Sequence, residues 1–285
     1  MANKKLKAPV NIPVEKIHPF EGHPYKVLDN DEMNNLIDSI QQKGVISPIV
    51  VRPLENTTDE YEIISGHRRL RASVKAGLET VPAFIYAINR DEAAIMLVDS
   101  NLHREHILPS EKAFAYKLKL EALNHQGKTF GQVGQKYSRD LMAESVDESS
   151  RQIHRYIRLT NLIPELLDLV DEEKIALTPA VELSYLSDEE QYSLLGTIEE
   201  EDRTPSLSQA VRFKKLSQAG ELSDESIETI MQEDKANQKP MFKVSMERLQ
   251  KVAPKVKDKD FEDFVLKACE HYYRYLQRQR NRDAR

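Results

Sequence analysis

Apolar positions in the first third of the chain alternate between the periods of a helix and of a strand. An apolar face at i, i+3, i+4 and i+7, beginning at Met33, predicts a helix over residues 31–43 that stops at Gly44. A second amphipathic helix is predicted from residue 91 to about 104. Short β-branched or apolar runs predict strands at residues 14–17, 49–51, 61–64 and 81–88. Strands interleaved with helices indicate a small mixed α/β domain over residues 1–108.

The next region, residues 109 to 235, is patterned for helices alone. A long helix is predicted to begin at Pro109, and shorter helices at Thr178-Pro179, Ser187 and Ser206. The last two carry the serine, with Glu or Gln three residues later, that forms a capping box. These features predict an all-α second domain.

The C-terminal part, residues 236–285, reads as a linker and a helical segment, a candidate for dimerisation. A strand is predicted at residues 241–246 and a helix at 258–282. The end of the helix is basic, with Arg274, Arg278, Arg280, Arg282 and Arg285. It could pack on a partner subunit, contact a DNA backbone, or form a solvated tail that complements the helix dipole. The predicted fold class is therefore α+β: a mixed α/β domain, an all-α domain and a short α-rich segment.

Residues 138–162 have the spacing of a helix-turn-helix. A small Ala143 is followed four residues later by a turn position, Asp147, and six residues after that by Ile153. Ser149 and Ser150 are expected to begin the second helix, with Ile153, Tyr156 and Ile157 inward. Its outward side chains, with the two serines, suit base edges and phosphates: Ser149, Ser150, Arg151, Gln152, His154, Arg155 and Arg158. The pattern favours DNA binding over an ordinary hairpin with a basic face.

A short glycine and arginine motif lies between a predicted strand and a predicted helix. Residues 65–71 read Ser-Gly-His-Arg-Arg-Leu-Arg, and the helix they open is expected to end at Gly77. Glycine permits a sharp turn, and a helix start presents free N–H groups and a positive dipole end. With the three arginines, this arrangement could form a polyphosphate pocket. A solvated basic helix start explains the same residues equally well.

A second polar motif, residues 99–105, lies at the end of the predicted helix from residue 91. Asn101 and Glu105 are four residues apart and would share a face if the helix continued. Such oxygen ligands suit Mg²⁺ held against phosphate, and Arg104 could add a phosphate contact. Spacing alone favours the simpler reading, in which these are polar residues facing water at a helix end.

Composition limits the protein class. The chain has 285 residues, 31% of them charged, and a formal net charge of −6, which leaves room for a local basic face. A single cysteine, Cys269, excludes an intramolecular disulfide and a thiol-based metal site. No apolar run is long enough to span a bilayer, and the basic N-terminus lacks an apolar signal segment. We therefore expect a cytoplasmic protein with no membrane partner.

Three motifs occur in a fixed order: Gly-His-Arg-Arg-Leu-Arg-Ala at 66–72, Asn-Leu-His-Arg-Glu at 101–105, and the helix-turn-helix. Over roughly residues 12–215 the chain resembles ParB-type partition proteins of the ParB/RepB family. The resemblance implies a ParB/sulfiredoxin-like first domain, CTP and Mg²⁺ as cofactors, and a homodimer that closes as a clamp on double-stranded DNA at a palindromic, centromere-like site. It also implies a nucleoid-associated role and a Walker-type ParA-like ATPase partner.

The resemblance also assigns site residues. Nucleotide contacts would come from Gly66, His67, Arg68, Arg69, Arg71, Asn101, Arg104 and Glu105, with Asn101 also holding the metal. His67 and Ser100 each stand where the family usually has Glu, and a serine cannot act as a base at neutral pH, so CTP hydrolysis is in doubt. One alternative is a nucleoid-occlusion-like protein or a regulator of a mobile element. The other is a phosphotransferase of the same α/β fold, whose sulfiredoxin-like version would need a cysteine in the Gly/Arg turn.

Overall fold

The computed structural model describes residues 8–102, 104, 106–127, 148–233, 250–253, 256 and 261–283. The chain forms two compact units, Met1–Glu233 and Asp234–Arg285. The predicted boundary near residue 108 lies inside the first unit and stays a prediction. The predicted strand at 241–246 lies outside the described residues.

The first unit begins with a five-stranded mixed sheet. Its strands are β1 (Val10–Pro13), β2 (Ile17–His18), β3 (Ile49–Pro53), β4 (Tyr61–Ser65) and β5 (Thr80–Ile85). The order across the sheet is β1-β5-β3-β4-β2, with β1–β5 and β3–β4 antiparallel and β3–β5 and β2–β4 parallel. The strands predicted at 49–51, 61–64 and 81–88 are confirmed as β3, β4 and β5, although β5 ends at Ile85.

The strand predicted at residues 14–17 is wrong. Val14–Lys16 forms a 3-10 turn, and only Ile17 of that run belongs to a strand. The chain leaves one edge of the sheet at Pro13 and joins the opposite edge at Ile17, so residues 14–16 cross between the two edges. The Val14 N–H still donates to the Glu79 carbonyl beside β5, at 3.0 Å. Pro13 and Ile17 are four residues apart and can be separated by at most about 14 Å, whereas the edge strands of a flat five-stranded sheet lie about 19 Å apart. The sheet is therefore curled.

Three helices accompany the sheet: α1 (Asp31–Lys43), α2 (His67–Lys75) and α3 (Arg90–Asn101). Helices α2 and α3 contact its strands, whereas α1 packs on α2. The predicted α1 and its stop at Gly44 are confirmed. Asn30 caps α1 by accepting from the Met33 N–H at 3.1 Å, and Gly44 follows at φ 71°. Helix α2 ends at Lys75, close to the expected stop at Gly77. Buried apolar side chains of the sheet and of α3 form the core beneath: Ile49, Val51, Ile63, Ile64, Val81, Ala83, Leu97 and Val98.

The second part of this unit is helical, as predicted. It comprises α4 (Pro109–Gly127), α5 (Ser150–Arg158), a 3-10 turn (Leu159–Asn161), α6 (Pro164–Asp171), α7 (Leu177–Leu183), α8 (Asp188–Glu201), α9 (Leu207–Ala219) and α10 (Asp224–Gln232). The capping boxes predicted at Ser187 and Ser206 are both formed. The helix predicted to start at Thr178-Pro179 is confirmed as α7, which begins one residue earlier, at Leu177, with Ala176 at its cap. Proline lacks an N–H and is tolerated within the first turn, so Pro179 does not mark the first residue.

The second unit contains α11 (Phe261–Asp283), which confirms the predicted C-terminal helix from its fourth residue onward. Phe261 is buried, whereas Phe264, Tyr272 and Tyr273 are exposed. Arg274 lies 3.6 Å from Glu270, one turn earlier. Side chains of Arg278, Arg280 and Arg282, and all of Arg285, lie outside the described part. Within the described ranges, no helix combines the length and apolar character needed to cross a membrane.

Candidate anion cavity and basic helix

The turn between β4 and α2 is built on a glycine that no other residue could replace without strain. Gly66 has φ 101° and ψ 25°, in the left-handed region. A Cβ at this position would lie 2.8 Å from Ile49 Cγ2 and 3.1 Å from Arg69 Nη2. Among the described residues, no side chain caps α2, so the first N–H groups of the helix have no side-chain acceptor there. The backbone of this turn therefore offers the open donors that an anion requires.

A cavity of about 230 Å³ opens beside this turn. Its lining combines the turn with the loop at 23–27 and the end of α3: His23, Tyr25, Lys26, Val27, Ser65, Gly66, His67, Arg68, Arg69, Ser100, Asn101 and Arg104. Four of these side chains are cationic, and none of the described lining residues carries a carboxylate. The composition suits a multiply charged anion.

The three motif arginines have different partners. Arg69 donates to the carbonyls of Ser47 and Pro48, and Arg68 donates through two nitrogens to Glu32, both at 3.0 Å. Arg71 pairs with Asp29 outside the cavity, at 2.9 and 2.6 Å. Hydrogen bonds from Arg71 and Lys75 hold the pKa of the Asp29 carboxyl down at about 2. The structure thus brings Arg68 and Arg69 to the cavity and leaves Arg71 at its outer side.

Two stacked imidazoles lie in the cavity wall. The rings of His23 and His67 have centroids 3.7 Å apart and planes 32° apart. Burial lowers the pKa of His67 to about 3, with smaller effects from His23 and Arg104, and lowers the pKa of His23 to about 4. Both rings are therefore neutral near pH 7.

Two buried polar atoms of the lining have no hydrogen-bond partner among the described residues: His67 Nε2 and Tyr25 Oη. Tyr25 is only 4% exposed, and its ring lies 5.4 Å from the Arg104 guanidinium carbon. Burial raises the pKa of Tyr25 well above its usual value, so the hydroxyl keeps its proton. An unpaired buried donor is costly, which makes these atoms natural contacts for a ligand.

Sequence reasoning missed His23, Tyr25 and Lys26. They lie in an irregular segment between β2 and α1, where no periodicity marks a residue as inward. A cluster of His, Tyr and Lys within four positions is the only local signal. The structure brings this loop to the same cavity as the α2 turn.

The end of α3 differs from the prediction. The helix stops at Asn101, and Arg104 lies in the turn after it, with its N–H bonded to the Asn101 carbonyl at 3.1 Å. The helix end predicted near residue 104 is therefore three residues too late, and the continued helix on which Asn101 and Glu105 would share a face is not formed. Ser100 Oγ and Asn101 Nδ2 both donate back to the Leu97 carbonyl, at 2.9 and 2.7 Å, as polar side chains do where a helix terminates. Glu105 lies outside the described residues.

The lining fits a polyphosphate and does not fit Mg²⁺. Protein-bound Mg²⁺ is usually held by one or two carboxylates together with phosphates. Here Asn101 offers a neutral amide oxygen, and four cationic side chains surround the space. Elsewhere in the described ranges, no group of three or more His, Cys, Asp or Glu side chains could hold a metal ion.

The predicted second helix of the helix-turn-helix is present as α5. Ser149 Oγ accepts from the Gln152 N–H at 3.2 Å, as an N-cap does. Ile153 is 3% exposed and packs with Tyr116 of α4, while Tyr156 and Ile157 join the same cluster. The inward side of α5 is thus confirmed. The first helix and turn, predicted around Met142, Ala143, Val146 and Asp147, lie outside the described residues.

The outward side chains of α5 are not equally available. Arg151, His154 and Ser149 are exposed, and Ser150 is half-buried. Arg155 donates to Gln152 Oε1 at 3.1 Å and to Thr178 Oγ1 at 2.6 Å. Arg158 donates to the Ser184 hydroxyl and carbonyl, at 3.1 and 2.9 Å, and its guanidinium carbon lies 3.8 Å from the Tyr185 ring centroid. Arg158 therefore joins α5 to α7, and Arg151 and His154 form the open part of the face.

Comparison with known proteins finds a ParB domain and two kinds of ParB-like relative. The family model of the ParB N-terminal domain matches residues 2–102. The nucleoid occlusion protein of Listeria innocua is 35% identical over 192 residues, which cover 67% of this chain and 63% of that protein. This chain thus spans less than two thirds of that relative. The chromosome-partitioning protein Spo0J of Thermus thermophilus is 31% identical over 203 residues, which cover 71% of this chain and 70% of that protein.

Among solved structures, the chain is similar to the C-terminally truncated chromosome-partitioning protein ParB from Caulobacter crescentus, complexed to the centromeric parS site. The identity is 21%, the TM-score is 0.41, and the match covers 78% of this chain and 98% of that one.

Proposed function

The chain belongs to the ParB family of partition proteins, and from that premise we propose that it is a sequence-specific DNA-binding protein whose first domain responds to CTP. It would bind a palindromic, centromere-like site as a homodimer, in chromosome or plasmid segregation. The observation that carries the proposal is the presence, in one compact unit, of a cationic cavity at Gly66 and an exposed basic face on α5.

The cavity is proposed to hold the triphosphate of CTP. Lys26, Arg68, Arg69 and Arg104 offset its negative charge, and the N–H groups at the start of α2 donate to its oxygens. Gly66 allows the phosphates to approach the backbone closely. His67 and Asn101 complete the described set, and Glu105 is retained from the family resemblance alone. Arg71 is proposed as an outer residue, because Asp29 already holds it.

Binding without hydrolysis is proposed. Ser100 donates its hydroxyl proton to the Leu97 carbonyl, and the described lining contains no carboxylate to serve as a general base. The phosphotransferase alternative has less support, because the cavity also lacks a cysteine in its described lining. Cys269, the chain's single cysteine, lies exposed on α11 in the other unit.

DNA recognition is proposed for α5. Arg151 and His154 would face base edges, and Ser149 and Ser150 would contact phosphate at the helix start. Gln152 and Arg155 would act as a hydrogen-bonded pair. A dimer would place two such helices in successive major grooves, which is why a palindrome is expected.

Calorimetry with CTP tests the nucleotide part of the proposal. Wild type should bind saturably, and Arg69→Ala should lose at least tenfold in affinity because a charged donor is removed from the phosphates. Lys75→Ala is the matched control, since it removes a cation from the same helix outside this cavity. Phosphate release measured in parallel should stay at the buffer level. No binding by wild type, or equal loss in both variants, would refute the cavity as the nucleotide site.

A nucleoid-occlusion role is the second candidate, and the 35% identity to the Listeria protein favours it. Mapping of bound sites across the genome separates the two. Partition predicts a few clustered palindromes and stimulation of a Walker-type ParA-like ATPase from the same replicon. Nucleoid occlusion predicts sites spread along the chromosome and no stimulation of that ATPase.

A further inference from the structure

The cationic cavity beside Gly66 also carries an inference about how its ligand is held. We propose that it binds the polyphosphate of a nucleotide without a divalent metal ion, with protein cations and neutral donors taking the metal's place. This rests on the proposed nucleotide binding and adds a chemical requirement to it.

The charge of the lining is the first argument. Lys26, Arg68, Arg69 and Arg104 all reach the cavity. Glu32 pairs with Arg68, and Asp168 and Asp171 pair with Lys26, but none of these carboxylates belongs to the described lining. A divalent ion would add two positive charges to this group and would find no anionic protein ligand. A free nucleotide triphosphate, more negative than its metal complex, is the better match for the same four side chains.

The end of α3 is the second argument. Asn101 Nδ2 donates to the Leu97 carbonyl at 2.7 Å and to Ser100 Oγ at 3.2 Å, which leaves the Asn101 amide oxygen as the available acceptor. The hydroxyl of Ser100 is used within the helix, at 2.9 Å from the same carbonyl. Neither side chain carries charge, so this helix end lacks the electrostatic attraction that a metal site needs.

The unpartnered donors are the third argument. Tyr25 Oη is buried, lines the cavity and has no hydrogen-bond partner among the described residues, and the same holds for His67 Nε2. A tyrosine hydroxyl donates to a phosphate oxygen, and so does a neutral imidazole in its Nε2–H tautomer. Both groups donate hydrogen bonds, and a phosphate oxygen that is not bound to a metal ion accepts them at least as well as one that is. The wall is thus equipped to contact phosphate oxygens directly.

Calorimetry with CTP, in excess EDTA and in excess Mg²⁺ at matched ionic strength, tests the inference. CTP should bind more weakly in excess Mg²⁺ than in EDTA, because Mg²⁺ holds CTP as a complex and lowers the concentration of the free, more negative nucleotide that the cavity matches. Equal or moderately stronger binding with Mg²⁺ would already count against the inference. Binding that strengthens tenfold or more with Mg²⁺ overturns the inference and leaves nucleotide binding intact. Absence of binding in both conditions refutes nucleotide binding itself. The two failures are therefore distinguishable.

Three variants sharpen the test. Tyr25→Phe keeps the ring and should weaken CTP binding in EDTA by about threefold to tenfold, the effect of one hydrogen bond. Ser100→Glu should make binding respond to Mg²⁺, whereas its uncharged match Ser100→Gln should not. Glu105→Gln should leave the ratio of the two affinities unchanged. A Mg²⁺ requirement that Glu105→Gln abolishes would show that this carboxylate holds a metal and would overturn the inference.

Electron paramagnetic resonance of Mn²⁺ shows directly whether the wild-type protein binds a metal ion together with CTP. With CTP and protein both present, the spectrum should be that of free Mn²⁺ and Mn²⁺–CTP in solution. A protein-dependent immobilised signal, lost in Arg69→Ala, would place a metal in the cavity and overturn the inference.

Discussion

At the scale of single residues, Gly66 constrains the cavity most tightly. Its positive φ and the close approach of Ile49 both require the absence of a Cβ, and Ile49 is fully buried and unable to move aside. The Ser-Gly-His-Arg-Arg motif predicted this turn from the sequence. It did not predict which arginines face the cavity, because their positions depend on partners in other parts of the chain: Glu32 for Arg68, the Pro48 carbonyl for Arg69 and Asp29 for Arg71.

Gly66→Ala should lower the free energy of unfolding by about 2–4 kcal/mol, the sum of left-handed strain and a core clash. Gly220→Ala is the matched control. Gly220 has φ 70° and ψ 24°, and a Cβ there would meet no atom within 4 Å, so it should cost only the strain, about 1 kcal/mol. Urea denaturation followed by circular dichroism measures both. Equal costs would contradict the proposed clash with Ile49.

The stacked histidines predict a pH dependence. A base whose folded pKa lies below its unfolded value is protonated first in the unfolded chain, so stability is complete above about pH 6.5 and falls as the pH drops toward 4. His67→Gln should reduce this slope, because one depressed pKa is removed. Denaturation of wild type and variant at a series of pH values measures the difference. The same slope in both proteins would contradict the expectation.

At the scale of elements, the sequence predicted the regular helices and the central strands well. The predictions were wrong where contacts between distant parts of the chain determine the local structure. Residues 14–17 have the apolar character of a strand, but they cross between two sheet edges. The helix from residue 90 stops at Asn101, where two polar side chains bond back to one carbonyl. The outward face of α5 was read from spacing, but the contact of Arg158 with α7 depends on a neighbour distant in sequence.

Arg151→Ala on α5 should weaken binding to a selected palindrome by about tenfold, because a side chain that can read a base edge is removed. Arg203→Ala is the control, since Arg203 is exposed beyond the end of α8 and carries the same charge. Fluorescence anisotropy at fixed salt measures both. Losses of similar size would indicate a general charge effect and would count against α5 as the reading element.

At the scale of the first unit, Lys26 connects the cavity to the helical region. Its Nζ lies 3.1 Å from Asp168 Oδ1 and 3.2 Å from Asp171 Oδ2, both on α6. Asp171 is also held by the Ser110 N–H at 2.9 Å. An anion in the cavity would compete with these carboxylates for Lys26. Occupancy of the cavity and the docking of α6 are therefore expected to be linked.

Hydrogen–deuterium exchange tests this link. CTP should increase amide exchange in α6, because Lys26 turns from Asp168 and Asp171 toward the phosphates. Lys26→Met should raise the exchange of α6 without nucleotide and abolish the further change on adding it. Unchanged or slower exchange in wild-type α6 on CTP binding would contradict the competition.

The position of the two edge strands has a consequence for folding and for aggregation of the domain. Both edge strands, β1 and β2, come from residues 10–18, so one short segment closes the sheet on its two sides. A chain that lacks residues 1–18 would leave one edge of β4 and one edge of β5 unpaired. Both edges would then be open to strand pairing with another molecule. During synthesis, β1 can pair only after residue 83 has been made, because its partners are residues 80–83 of β5. The residues of the sheet that are synthesised first are thus among the last to be paired. Once paired, they cover the edges of β4 and β5 and prevent these edges from pairing with another chain.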